Sequence, residues 1–258
     1  MLIDSHCHLN YDGLVEDQAN ILRRARAAGV TGLLNIATRR SEWSDVLATA
    51  DREPDVWATI GVHPHEADAH EDLSVASLME AASHSKVIGL GETGLDYHYD
   101  WSNRGVQQQL FRTHIQAARE LDIPVVIHTR DAEEETLRIL GEEMRRGRFR
   151  GLVHCFTGSG EFARNALALG VYISFSGIVT FKNARDLQAV AAKMPEDRLL
   201  VETDSPFLAP VPNRGKVCEP AYVRDTCRFI AALRGVDEAQ LQASTTANFF
   251  RLFAKAVA

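Results

Sequence analysis

Short apolar runs alternate with amphipathic segments along the whole chain. Eight of these runs are rich in Val, Ile and Leu, which is typical of strands buried on both faces of a parallel sheet. They cover residues 2–3, 30–36, 56–62, 87–90, 123–127, 151–153, 171–175 and 199–201. The pattern therefore predicts eight parallel strands.

The segments between these runs have the periodicity of helices. In residues 18–28, Ile21, Leu22 and Ala25 share one face, and Gly29 follows as a helix stop. Further helices are predicted at 104–121 and 132–146, from Pro220 onward, and at 238–255. Because strand and helix alternate eight times, we predict an α/β protein, a single (β/α)8 TIM barrel that forms one domain over residues 1–258. An open doubly wound sheet is the alternative.

Composition narrows the class of protein. Of the 258 residues, 45% are hydrophobic and 24% are charged, which is ordinary for a soluble protein. The formal net charge of −7 argues against a protein that coats nucleic acid nonspecifically. It leaves room for an enzyme that contacts a few phosphates through metal ions and local basic residues.

The N-terminal sequence and the cysteines indicate the cellular compartment of the protein. The opening sequence MLIDSHCHLNYDG has neither the basic nor the apolar region of a signal peptide, and no run approaches 18 apolar residues. Cys7, Cys155, Cys218 and Cys227 form no CxxC pair, which favours reduced thiols. We therefore expect a cytoplasmic protein without a membrane span, and the sequence indicates no obligate protein partner.

Side chains that bind metals follow the predicted strands. The carboxyl ends of barrel strands meet at one face of the molecule, where the active sites of such enzymes lie. Six of the ten histidines stand at these ends, and carboxylates accompany them. Imidazole and carboxylate together are the ligands of Zn, Mn, Fe or Ni. The predicted metal ligands are His6, His8, Glu92, His128, His154 and Asp204.

The predicted ligands divide into two sets around one carboxylate. Glu92 has two oxygens and can bridge two cations. His6, His8 and Asp204 would then hold one ion, and His128 and His154 the other. Two ions about 3.5–4 Å apart can activate water and stabilise both oxygens of a phosphoryl displacement. Glu92 and Asp204 are thus predicted to be catalytic, with Asp204 accepting the proton of the nucleophile.

Other polar residues near the strand ends are candidates for contacts with substrate. Glu202 is also counted as catalytic, because it can orient a ligand or a water, although a salt bridge at the barrel mouth explains it equally well. The candidates for binding phosphate are His63, His65, Arg130, Arg214 and Lys216. For the first two the alternative is a turn built around Pro64, and for Arg130 it is an ion pair at a helix start.

The loop after the fourth strand carries further candidates. Asp96 is expected to shape this loop or to bond to a ligating histidine. Tyr97, His98 and Tyr99 can stack on bases or pack within the loop. Cys7 lies between two predicted ligands and is expected to point into the barrel wall, where it would not act as a nucleophile.

The motifs around these residues resemble those of the TatD-family metal-dependent deoxyribonucleases, a group within the amidohydrolase-like barrels. The matching stretches span the chain in order: IDSHCHL at 3–9, IGVHPH at 60–65, GETGLDYHYD at 91–100, VIHTRDA at 126–132, HCFTGS at 154–159, LVETDSPFLAP at 200–210, RGKVCEP at 214–220 and TTANFFRLF at 245–253. One departure is Cys218, where the family carries Asn, so the contacts of that loop are expected to differ.

The resemblance implies a barrel, two divalent cations and hydrolysis of phosphodiester bonds in DNA. The cations would be drawn from Mg, Mn, Zn or Ni. The substrate implied is single-stranded DNA or a 3′ end, digested in the 3′–5′ direction. A metallohydrolase of a small amide, lactone or phosphoester is the alternative, because it would use the same ligands. A closed structural metal site is a third hypothesis, but such sites usually contain paired thiolates, which this pattern lacks.

Overall fold

The computed structural model describes residues 1–257 and contains one sheet of eight strands. All neighbouring strands pair in parallel, in the order in which they occur along the chain. The strands are β1 (Leu2–Cys7), β2 (Val30–Ile36), β3 (Val56–Ile60), β4 (Val87–Asp96), β5 (Val125–Arg130), β6 (Gly151–Val153), β7 (Tyr172–Phe175) and β8 (Leu199–Val201). A parallel bridge between Cys7 and Ser205 brings the last strand beside the first. The predicted (β/α)8 barrel is confirmed.

Nine α-helices accompany the strands in the described part of the chain. They are α1 (Gln18–Ala27), α2 (Trp43–Arg52), α3 (Val75–Ala81), α4 (Arg104–Leu121), α5 (Glu133–Arg146), α6 (Gly160–Ala168), α7 (Arg185–Lys193), α8 (Val223–Arg234) and α9 (Glu238–Leu252). The last helix ends earlier than predicted, and a short 3-10 turn over Ala254–Val257 follows it. No helix among the described residues is long and apolar enough to cross a membrane.

Three strands run further than the hydrophobic pattern indicated. β1 continues to Cys7, β4 to Asp96 and β5 to Arg130. The added residues are mostly polar or glycine, so no apolar run signals them, yet every residue of β4 is buried. Polar residues at the end of a barrel strand thus remain in the sheet and point toward the barrel axis or the helices.

The barrel interior is a separate apolar core closed from below by α9. Alternate strand residues such as Leu34, Val126 and Leu200 pack together there, and Phe249 and Leu252 of α9 complete the cluster. Their neighbours along the strands face the surrounding helices instead. This alternation is the two-residue period of a strand.

A polar layer lies above the interior core, at the opposite end of the barrel from α9. In three strands, the residue two positions after an interior apolar side chain also points inward and is polar. The pairs are Val126 and His128 in β5, Leu152 and His154 at β6, and Leu200 and Glu202 at β8. The bottom of the barrel is therefore closed by apolar packing, and its top presents imidazole and carboxylate groups.

Candidate metal centre

Glu92 lies at the centre of the polar layer, and its two oxygens face different histidines. The ring nitrogens of His154, His128 and His63 lie 2.8, 3.0 and 3.3 Å from Oε1. The Nε2 atoms of His6 and His8 lie 3.3 and 3.7 Å from Oε2. The carboxylate thus separates two groups of donors, and each group has its own oxygen.

Asp204 joins the group that faces Oε2. Its Oδ1 lies 3.6 Å from His6 Nε2 and 3.4 Å from His8 Nε2. The Asp204 backbone N–H donates a 2.9 Å hydrogen bond to the carbonyl of His6, which fixes the end of β8 against β1. Asp204 has a φ of 59°, a left-handed conformation that aspartate tolerates better than most residues. Its side chain is 15% exposed, whereas that of Glu92 is 4% exposed.

The surrounding imidazoles lower the pKa values of the two buried carboxylates, Glu92 and Asp204. Burial alone would raise the pKa of Glu92, but the charges of His154 and His63 and hydrogen bonds from the imidazoles lower it well below its usual value. Burial likewise opposes ionisation of Asp204, whereas the hydrogen bond from His8 and nearby imidazoles lower its pKa. Both groups are therefore anionic at neutral pH.

The histidines respond to burial and to these anions in opposite directions. Burial lowers the pKa of His63 to about 4 and also lowers the pKa of His6. For His154, the charge of Glu92 and the bonds to Glu202 outweigh burial and raise the pKa well above its usual value. Positive charge is thus stabilised at the centre, whether protons or metal ions supply it.

Three of the central imidazoles are held from behind by a second acceptor. His8 Nδ1 donates to the Ile36 carbonyl at 3.3 Å, and His154 Nδ1 donates to Glu202 Oε1, also at 3.3 Å. His128 Nε2 donates to Asp96 Oδ2 at 3.0 Å. Each bond fixes the tautomer and leaves the lone pair of the other nitrogen directed at the centre, as a metal ligand requires.

Two glycines allow β4 to approach β5 closely enough for this arrangement. Gly91 and Gly94 have φ values of 135° and 140°. A Cβ at either position would collide with the backbone oxygen of Val126 or His128. Glycine at these two positions therefore brings Glu92 and His128 together.

The donor chemistry of the centre fits divalent cations. Three sets of three donor atoms each lie within 4.8 Å of one another: His6, His8 and Glu92; His63, Glu92 and His128; and His6, His154 and Glu202. Neutral imidazole nitrogens with carboxylate oxygens suit Zn, Mn, Fe or Ni. The Nε2 atoms of His6 and His8 are 3.2 Å apart and both face the anions, so a cation between them would satisfy both lone pairs. The first two sets share Glu92 and contain four of the six predicted ligands.

The predicted catalytic residue Glu202 lies behind the centre. It is fully buried, and its Oε1 accepts hydrogen bonds from His154 and from the Cys155 backbone N–H, while Ser174 donates to its Oε2. With both oxygens engaged, Glu202 is suited to orient His154. This position agrees with the expected role of orienting a ligand, and the assignment of Glu202 as catalytic stays a prediction.

A cavity of about 770 Å³ opens above the centre. Among the predicted phosphate-binding residues, His63, His65 and Arg130 line it. Arg214 and Lys216 do not, because Arg214 packs over the Phe181 ring at 3.8 Å and Lys216 points to Asn213. The loop after β8 thus directs both side chains away from the cavity, and their contact with phosphate stays a prediction.

Several residues near the centre lay outside the predicted metal ligands, catalytic residues and phosphate contacts. Asp96 accepts hydrogen bonds from both His128 and His65, at 3.0 and 2.8 Å, and also from the backbone N–H groups of His98 and Tyr99. It therefore performs both of the roles considered for it. The even spacing from Glu92 to Asp96 along one strand was the available signal. The other additions are Tyr11, Thr38, Arg39, Trp101 and Phe207, which lie in loops where no periodicity operates.

The cysteines are free thiols, as predicted. Cys7 is fully buried, and its Sγ lies 3.4 Å from the Leu34 carbonyl in the barrel wall. Cys218 is also fully buried, and its backbone N–H donates to the Pro206 carbonyl at 2.9 Å. The departure from the resembled motif at Cys218 therefore falls inside the protein and not on the rim of the cavity.

Known proteins similar to this chain include a family of DNases and metal-dependent hydrolases. The chain matches the TatD related DNase family over residues 3–254. It is 46% identical over 255 residues to the uncharacterized metal-dependent hydrolase YcfH of Escherichia coli K12, covering 98% of this chain and 95% of that one. The crystal structure of YJJV, a TatD homolog from E. coli K12, superposes with a TM-score of 0.92 at 29% identity and 98% coverage of both chains.

A further relative carries a more specific name. The 3'-5' ssDNA/RNA exonuclease TatD of Cronobacter sakazakii is 37% identical over 245 residues, which cover 93% of this chain and 92% of that one. The match to the family extends over nearly the whole chain, and it includes both donor groups around Glu92. The chain therefore belongs to the TatD-related DNase family of metal-dependent hydrolases.

Proposed function

We propose that this hydrolase is a 3′–5′ exodeoxyribonuclease that degrades single-stranded DNA with two divalent cations. The observation that carries the proposal is the division of donors around Glu92. Oε2 faces His6 and His8 at 3.3 and 3.7 Å, whereas Oε1 faces His154 and His128 at 2.8 and 3.0 Å. A carboxylate shared by two donor sets is the arrangement of a two-metal hydrolase.

The residues that would hold the cations are those named from the sequence. His6, His8 and Asp204 would bind one ion, His128 and His154 the other, and Glu92 both. His63 Nε2 lies 3.3 Å from Glu92 Oε1, and His63 would therefore be a further neighbour of the second ion. Mg, Mn, Zn and Ni remain candidates, with the imidazole-rich set favouring Zn, Mn or Ni over Mg. Such cations lower the pKa of water and offset the charge that develops on a phosphate.

Asp204 is the residue best suited to handle the proton of the attacking water. Its side chain is more exposed than that of Glu92, so water from the cavity reaches it first. Its lowered pKa keeps it anionic and thus able to accept a proton. The low pKa of His63 keeps this imidazole uncharged at neutral pH, so it can exchange hydrogen bonds with a phosphate oxygen or a leaving group.

The choice of DNA rests on relatedness and on the cavity. One relative is named for exonuclease activity on single-stranded DNA and RNA. In this chain the cavity offers Arg130 for a phosphate and has aromatic side chains on its rim. The imidazole and carboxylate donors alone would equally serve a small amide, lactone or phosphoester. A cytoplasmic location, expected from the sequence, would supply both kinds of substrate.

Digestion of end-labelled oligonucleotides tests this function. With Mn²⁺ or Zn²⁺ present, a 5′-labelled single strand is expected to give a ladder of shortening products, and a 3′-labelled strand to release its label as a mononucleotide. A strand with a 3′-terminal phosphorothioate linkage is the matched control and should resist digestion. Activity should fall with added salt, because the groups that bind the phosphates of the strand release its counterions.

Hydrolysis of a small molecule in place of nucleic acid is the alternative outcome. A metal-loaded protein that leaves DNA and RNA intact but hydrolyses a small phosphoester or lactone would contradict the nuclease proposal. RNA digested faster than DNA would correct the preferred substrate and retain the phosphodiesterase.

A further inference from the structure

Two groups of aromatic side chains stand on the rim of the cavity, and we call them the first and second arms. The first arm is Tyr99 and Trp101 in the loop between β4 and α4. Their rings stack with centroids 4.8 Å apart and planes at 28°. Trp101 is 66% exposed, which is unusual for so large an apolar side chain.

The second arm is Tyr11 and Phe207. Tyr11 follows β1 and stacks on His8, with centroids 4.5 Å apart and planes at 20°. Phe207, in the loop after β8, meets the Tyr11 ring edge-on at 6.2 Å and is 51% exposed. All four residues of the two arms line the cavity.

The arms adjoin different donor groups of the centre. Trp101 contacts His65 at 4.5 Å, and His65 in turn lies 6.2 Å from His128, which faces Glu92 Oε1. Tyr11 contacts His8, which faces Glu92 Oε2. The second arm therefore contacts its donor group directly, through His8, and the first arm reaches the other donor group through His65. Glu92, which faces both donor groups, lies between the arms.

Other aromatic residues of the same loop are engaged elsewhere. Tyr97 packs against the core with Arg104 over its ring at 4.3 Å, and its hydroxyl accepts a hydrogen bond from Gln108. His98 pairs with Asp131 at 2.8 Å. Of the three residues expected to offer stacking faces, only Tyr99 lines the cavity.

Basic side chains on the rim are few and partly neutralised. Arg39 pairs with Glu42 at 2.6 Å and approaches Glu66 at 3.7 Å. Arg130 lies over the Tyr99 ring at 4.7 Å and extends the first arm as a cation. Proteins that bind single strands combine a basic groove with aromatic rings on which the bases stack, and of these two elements the rim offers mainly the rings.

We propose that the two arms stack the bases on either side of the scissile phosphate, one base on Trp101 and Tyr99 and the other on Phe207 and Tyr11. A phosphate held at the centre between the donor groups has one nucleotide on each side, and each nucleotide meets one arm. Paired bases in a duplex cannot turn onto the rings, so the arms select unpaired ends. This inference rests on the proposed nuclease function and adds the part of the site that recognises single strands.

Oligonucleotides that lack one base test the arms directly. Trp101→Ala and Phe207→Ala are each expected to reduce kcat/KM on single-stranded DNA by about tenfold to a hundredfold, as loss of one stacked base does. With an abasic nucleotide on one side of the scissile phosphate, one variant should lose its defect. With the abasic nucleotide on the other side, the other variant should lose its defect.

Two control variants separate stacking from general damage. Val217→Ala removes an apolar side chain that is 55% exposed, also in the loop after β8, but outside the cavity lining, and it should leave kcat/KM unchanged. Trp101→Phe keeps an aromatic face and should retain most activity. It should also abolish the change in tryptophan fluorescence that oligothymidylate causes in the wild type.

Distinct results would overturn this inference. If the alanine variants cleave normally, or if their defects are the same on abasic and intact strands, the arms do not stack bases. If both defects vanish with the same abasic position, the arms do not bracket the phosphate. If the wild type cleaves no oligonucleotide at all, the proposed function fails first, and the arms fail with it.

Discussion

Asp204→Asn is expected to reduce DNA hydrolysis by about 10²–10⁴-fold, the contribution that a positioned general base makes. The substitution keeps the size of the side chain and removes its charge. Asp204 Oδ1 lies 3.4 and 3.6 Å from the Nε2 atoms of His8 and His6, so a neutral amide there would accept no proton and would weaken one cation site. Single-turnover hydrolysis of a 5′-labelled strand at saturating metal measures the chemical step directly.

The fold of this variant should remain intact. Asp204 is held mainly by backbone hydrogen bonds, from its own N–H to the His6 carbonyl and from the Phe207 N–H to its carbonyl. Its thermal unfolding midpoint should therefore stay close to the wild-type value. It should fall slightly rather than rise, because the lowered pKa of Asp204 means that its ionised form stabilises the folded state. Asp186→Asn, an exposed position in α7, is the matched control and should be fully active. Wild-type turnover in Asp204→Asn with unchanged metal content would contradict the role of Asp204.

Glu92→Gln is expected to remove the shared ligand from one of the two cation sites. Glutamine keeps one oxygen but replaces the other with an NH₂ group, which donates hydrogen bonds and cannot ligate a metal. Because the two Glu92 oxygens face different histidines, one of the two ions loses its shared ligand whichever way the amide turns. Loss of a residue that only supports a metal ligand typically lowers metal affinity by about 10–100-fold. Because Glu92 is itself a ligand, the loss in affinity should be larger, and the rate of hydrolysis should fall with it.

Metal analysis of purified Glu92→Gln measures this loss. The wild type is expected to retain two equivalents per chain under conditions in which the variant retains one or fewer. Glu120→Gln, an exposed position near the end of α4, is the matched control and should bind metal as the wild type does. A variant with two tightly bound ions and normal hydrolysis would show that Glu92 does not bridge.

The fold was predictable because it depends on a regular pattern. Buried strands and amphipathic helices repeat eight times, and a barrel of parallel strands follows from that alternation. The strand ends were less predictable. The apolar run of β4 stops at Leu90, whereas the strand continues to Asp96 through glycine, threonine and Glu92. Sites of function break the local hydrophobic pattern, so the pattern is least informative where the site lies.

The candidate ligands were predictable from strand position, whereas the side-chain directions of the carboxylates that hold them were not. His128 and His154 follow interior residues at the two-residue period of a strand, so they had to face the barrel axis. By contrast, nothing in the sequence distinguishes Glu202, buried behind His154, from a carboxylate that faces the cavity. The roles of these residues, and the single domain over residues 1–258, stay predictions.

The loops were the least predictable part of the site. Arg214 and Lys216 follow the last strand, yet their loop folds back so that Arg214 covers Phe181. Trp101 and Phe207 were not among the predicted site residues, but loop conformation brings them to the rim of the cavity. Loop paths depend on tertiary packing rather than on periodicity, so side-chain direction there cannot be inferred from spacing.

Titration of the metal-free protein with Zn²⁺ or Mn²⁺, followed by calorimetry and by hydrolysis of single-stranded DNA in the same samples, tests the two-cation centre most directly. Two equivalents should bind per chain, and full hydrolysis should require the second. Saturation at one equivalent, or full hydrolysis in the presence of excess chelator, would contradict a centre in which Glu92 joins two cations.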